Sequence, residues 1–158
     1  MRNRVWMLLT MCATLMLSAN VWAQQPPLGA PLTLEQAKKA AAAAEAEAKK
    51  NNWTYAIAVV EPSGALIYFS KMDGTQYGSI NVAIDKATSA ALYRRPTAAF
   101  DAGLRAGSQY LLQLRGGNAV PGGFPLVVDG KVVGGIGASG GDGAQDSQVA
   151  TAGVNALK

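Results

Sequence analysis

Histidine is absent from the 158-residue chain, and cysteine occurs once, at Cys12. Without imidazole there is no Ser-His-Asp or Cys-His machinery, and without a set of thiols there are no disulfides and no common zinc-ligand set. Metal held by histidine or cysteine is therefore not expected. Charge is sparse as well, with 14 basic and 10 acidic residues giving +4. The basic residues are scattered; only Arg94-Arg95 and two lysine pairs are adjacent. No basic stripe results, so nucleic acid is not an expected partner.

One apolar run stands out, Val5 to Leu17, and it is shorter than the ~20 residues a membrane span needs. Arg2 and Arg4 precede it, Val21-Trp22-Ala23 offers small residues before a cut, and Gln-Gln-Pro-Pro follows. Residues 1–23 thus read as a cleavable secretory signal, which places the product in the periplasm or outside the cell. Cleavage removes Cys12 and lowers the formal charge to +2. No membrane association is expected of the mature chain.

Residues 24–32 hold three prolines and a glycine and read as a flexible tether, leaving 33–158 as one domain. A domain of that size gains from oligomerisation. Thr33-Leu34-Glu35-Gln36 matches a capping box, and Leu34, Ala37, Ala41, Ala44 and Ala48 recur at helical spacing to about Asn51. Trp53 to Glu61 and Leu66 to Lys71 flank the turn Pro62-Ser63-Gly64 and read as a hairpin, its first strand apolar on both faces. Ile80 to Tyr93 is helical and must stop before Pro96. Thr97 can cap a short helix to about Arg105. Residues 108–119 fit a strand or a helical turn. Phe124 to Ile136 is a hairpin around Asp129-Gly130, and Asp142 to Leu157 closes with a helix. Hairpins with helices outside them predict an antiparallel α/β (α+β) sandwich of about five strands, helices on both sides.

Within that frame Gly134 to Gly141 could cradle an anion on backbone N–H groups, although it matches neither a Walker loop nor a Rossmann fingerprint. Close packing of helix on strand is the competing role for its glycines. Gly122-Gly123 between Pro121 and Pro125 shapes a loop that lines a pocket or merely turns the chain. Lys86, in an alanine-rich helix, either sends a long stem to the surface or pairs inside with Asp73 or a ligand carboxylate. Asp73, Lys86, Gly122, Gly123, Pro125, Ser139 and Gly140 are the expected ligand-binding residues. Arg94 and Arg95 suit a helix C-terminus and equally an anionic ligand. An enzyme using Lys86 and Asp73 on a small substrate, or a structural partner in the envelope, are the alternatives; catalytic residues are not assigned.

Met72-Asp73-Gly74 with Ile84-Asp85-Lys86-Ala87, then Gly122 to Val127, then Val132 to Gly140 with Asp146 after it, resemble the GlcG/HbpS-like haem-binding family. That family is related to the C-terminal domain of some cobalamin adenosyltransferases. The resemblance covers about Leu34 to Leu157. It implies a profilin-like sandwich, assembly into homo-oligomers, and haem or another small molecule as ligand. With histidine missing, the axial iron ligands open to this chain are Tyr55, Tyr68, Tyr77, Tyr93, Tyr110 and Met72, with Arg94 and Arg95 as propionate contacts.

Overall fold

The computed structural model describes residues 25–158; the expected signal and Cys12 lie outside the described residues. The elements run α1 (Leu34–Lys50), β1 (Ala56–Val60), β2 (Leu66–Lys71), α2 (Gly78–Tyr93), α3 (Ala98–Arg105), a 3-10 turn (Gln109–Gln113), β3 (Gly123–Val128), β4 (Lys131–Ser139) and α4 (Gly143–Asn155). The sheet is antiparallel with order β2-β1-β4-β3. Helices α1 and α4 cover one face and α2 the other. β1 is buried along its whole length, as its two apolar faces require.

The capping box at Thr33 forms, with Gln36 N–H donating to the threonine hydroxyl at 3.2 Å and Thr33 N–H donating to Gln36 Oε1 at 2.9 Å. The Asp129-Gly130 turn has positive φ at both residues (49° and 72°), which matches the twist of the strands it joins. Two cores result. One lies between the sheet and α1/α4, around Ile57, Val59, Leu126, Ile136 and Val149. The other, under α2, is mostly alanine: Ala56, Ala58, Ala83, Ala87 and Ala91 with Val60. Small side chains let α2 lie almost on the sheet. A Cβ on Gly137 would collide with the Ala83 carbonyl and come within 2.6 Å of the Ala87 nitrogen.

Three expectations need correction. The sheet has four strands, not about five, because residues 109–113 wind into a 3-10 turn between Gly107 and Gly116 and join no ladder. Thr97 occupies the position before α3, but its side chain does not cap it; the hydroxyl accepts from Gly123 N–H at 3.0 Å and so anchors β3. The expected tether is docked from Pro26 onward. Beyond Gly135 the β1 side of β4 is vacant, and the strap fills it: Val132 N–H donates to the Pro27 carbonyl, and Gly29 N–H to the Val132 carbonyl, both at 2.8 Å.

Candidate functional site

The C-terminal end of β4, the start of β3 and the first turn of α4 meet over the middle of α2, and Lys86 sits at that junction. Lys86 is fully buried. Its ammonium donates to Asp146 Oδ2 at 2.5 Å and to the Ala138 carbonyl at 3.1 Å. Asp146, 3% exposed, uses its other oxygen to accept from Gly140 N–H (3.2 Å) and Gly141 N–H (3.0 Å). Gly122 closes the junction at φ +114°, where a Cβ would stand 2.6 Å from Asp146 Cβ and 3.1 Å from the Lys86 nitrogen. Its carbonyl accepts from Ala138 N–H at 3.0 Å. Burial lowers the Lys86 pKa, and Asp146 works against that shift. Tyr55 lies beside this pair, fully buried, its hydroxyl without a hydrogen-bond partner among the described residues. Burial, and then the charge of Asp146, raise its pKa.

The junction gathers Lys86, Gly122, Gly123, Ser139 and Gly140 of the expected ligand residues, but it is satisfied from within. Both loop amides are spent on Asp146, so the glycine stretch offers no anion cradle there. The start of α4 is closed too, since Asp142 accepts from Ala144 and Gln145 N–H at 2.9 Å. Ser139 donates to Ser79 Oγ at 3.2 Å, and Pro125 stands in β3 opposite Gly135. Lys86 neither reaches the surface nor pairs with Asp73. Its partner, Asp146, was missed as a functional residue. The usable signal is that Asp146 interrupts the buried stripe Val149, Ala150 and Gly153 of α4, just as Lys86 interrupts Ala83, Ala87 and Ala90 of α2. Two opposite charges, each on an otherwise apolar helix face, call for one another.

Asp73 lies elsewhere, in an open groove of about 400 Å³ shared with Met72, Lys71, Glu45 and Lys49. Met72 packs partly buried against the core, and Lys71 Nζ stands 5.5 Å from the centroid of the Tyr77 ring. Among the other expected iron ligands, Tyr55 is sealed in, Tyr68 packs partly buried on the core, and Tyr93 donates its hydroxyl to the Arg115 carbonyl at 2.7 Å. Tyr77 (85% exposed) and Tyr110 (64%) are accessible. Arg94 donates to the Pro26 carbonyl at 3.2 Å, and Arg95 lies over Phe100. No group of three or more potential His, Cys, Asp or Glu metal ligands occurs among the described residues.

Known proteins are similar to this chain in sequence and in fold. The chain is 37% identical over 108 residues to protein GlcG of Escherichia coli K12, covering 68% of this chain and 81% of GlcG. A solved double mutant of HbpS from Streptomyces reticuli superposes with a TM-score of 0.77 at 34% identity, over 82% of this chain and 89% of that one. The ORFY protein of Klebsiella pneumoniae superposes with a TM-score of 0.76 at 28% identity, over 82% and 92%. The profilin-like sandwich expected from the resemblance is thus the fold these relatives have. With residues 32–155 matched by the model described as "Haem degrading protein HbpS-like", the chain belongs to the HbpS-like family.

Proposed function

We propose that this is an exported protein, periplasmic or secreted, that binds haem or a related tetrapyrrole and acts as a homo-oligomer. The observation that carries the reading is the family match over residues 32–155. Export rests on the pattern of residues 1–23.

The residues available to such a ligand fit it at the groove beside Asp73. Iron in haem accepts an axial donor, and a phenolate is one of the protein donors that serve without histidine. Lys71 lines the groove with its ammonium 5.5 Å from the ring of Tyr77, an exposed phenol, and Met72 adds a thioether; Lys71 is the cation offered to a carboxylate, since Lys49 already pairs with Glu45 at 2.5 Å. The buried Lys86–Asp146 pair joins α2 to the first turn of α4. It takes no part in an enzymatic reading, because Lys86 and Asp73 are not partners and Lys86 is inaccessible.

Haemin titrated into the chain beginning at Gln24 is expected to give a saturable Soret shift at micromolar protein, weakened and altered in shape by Tyr77→Phe. Absence of a saturable shift removes haem from the reading. A normal shift in Tyr77→Phe removes the phenolate assignment alone.

A further inference from the structure

Folding brings Arg115 to the end of the molecule where the adjacent Arg94 and Arg95 close α2. The Tyr93 hydroxyl donates to the Arg115 backbone carbonyl at 2.7 Å, Arg94 and Arg95 follow Tyr93 in the chain, and the half-buried Arg94 also donates to the Pro26 carbonyl at 3.2 Å. Arg94 ends α2 in the left-handed conformation (φ 50°), and Arg95 lies with its guanidinium 5.6 Å from the centroid of Phe100. Among the described residues only Arg105 of the arginines forms an ion pair, with Asp101 on its own helix.

The same end carries large apolar side chains that nothing covers among the described residues. Leu92 is 44% exposed, Tyr110 64% and Leu112 69%. Leu92 Cδ1 is 3.3 Å from the Cβ position of Gly116, and Leu111 packs on Gly103 of α3, so the 3-10 turn is seated against the ends of α2 and α3. The negative end of the α2 dipole, about half a charge, is outweighed by the three guanidinium groups.

We infer that this end docks on an anionic lipid surface, the arginines meeting headgroups while Leu112 and Tyr110 enter the headgroup boundary. The contact proposed is a peripheral one; no helix among the described residues is long and apolar enough to cross a membrane. Cations with no carboxylate partner among the described residues, beside exposed leucine and tyrosine, suit a surface that is negative outside and apolar just beneath. A water-soluble anion would leave the apolar side chains unused. The inference does not rest on the haem reading.

The test is co-sedimentation of the chain beginning at Gln24 with vesicles of 30% phosphatidylglycerol in phosphatidylcholine, and with pure phosphatidylcholine. Both described cores lie within that chain. Binding is expected on the anionic vesicles only. It should fall on the order of 100-fold in Arg94→Ala/Arg95→Ala/Arg115→Ala, from about fivefold per cation, and severalfold in Leu112→Ser. Removing two cations from the far side, Lys38→Ala/Lys39→Ala, should change it less than fivefold. Each variant is checked by far-UV circular dichroism and thermal unfolding, and folded variants decide the outcome. Equal binding to neutral vesicles, no binding to either, or equal losses in the arginine and lysine variants would overturn the proposal.

Discussion

Replacing Asp146 by asparagine keeps the shape of the side chain and takes away its charge, leaving the Lys86 ammonium fully buried with one acceptor, the Ala138 carbonyl at 3.1 Å. The amide nitrogen of asparagine would face the ammonium, donor against donor, while its oxygen kept the Gly140 and Gly141 amides. Breaking a buried pair in this way costs about 3–5 kcal/mol. Lys86→Met is milder, about 2–4 kcal/mol, because the stranded carboxylate retains two amide donors. In Lys86→Met/Asp146→Asn no charge is left, and the loss should fall short of the sum of the singles by at least about 2 kcal/mol. Urea denaturation of the chain beginning at Gln24 measures all four species, with Trp53 as the only tryptophan reporter. Additivity within about 0.5 kcal/mol would refute a coupled buried pair.

Three further outcomes are expected. Gly137→Ala should lower stability by about 3 kcal/mol, since its Cβ meets helix backbone that cannot yield, whereas Gly78→Ala, with nothing within 4 Å, should be neutral or stabilising by up to about 1 kcal/mol; similar midpoints for the two would sink the close-packing account. Deleting residues 24–31 strands the buried Val132 amide and carbonyl, which should cost about 1–3 kcal/mol and speed hydrogen exchange at Val132; an unchanged midpoint would show that the strap contributes nothing. Tyr55 keeps its proton above pH 10 in the folded state, while the unfolded phenol ionises near 10, so its contribution is intact below pH 10 and is lost as pH rises beyond it. Tyr55→Phe should therefore lose less stability between pH 9 and pH 11 than the parent; an equal or steeper loss would contradict the shift.

Local signals carried the fold where they were self-contained. The capping box at Thr33, the Asp129-Gly130 turn and the alanine stripe of α2 each specify one backbone path from a few neighbouring residues. Residues 108–119 did not, because Tyr110, Leu111 and Leu112 suit several conformations and only the seat of Leu111 on Gly103 selects the 3-10 turn. The docking of the strap is hidden for a related reason: prolines remove donors, but Pro26 and Pro27 here serve as acceptors, which composition does not reveal. At the site the glycines were found and their use was not. Pairing Lys86 with Asp146 spans 60 residues, and Asp73 was a nearer carboxylate that local reasoning had no ground to reject. The same limit hides the approach of Arg115 to the end of α2, which the Tyr93 hydroxyl makes across 22 residues.

The loop at Gly140-Gly141 has the makings of an anion receptor, and Asp146 is its guest. Because host and guest belong to one chain, occupancy is permanent and independent of concentration; no empty form of that receptor exists for a solute to fill. Damage to it would register as lost protein rather than weakened affinity. A screen that scores binding alone would count Asp146 as a contact residue, when it is the covalently attached equivalent of the ligand.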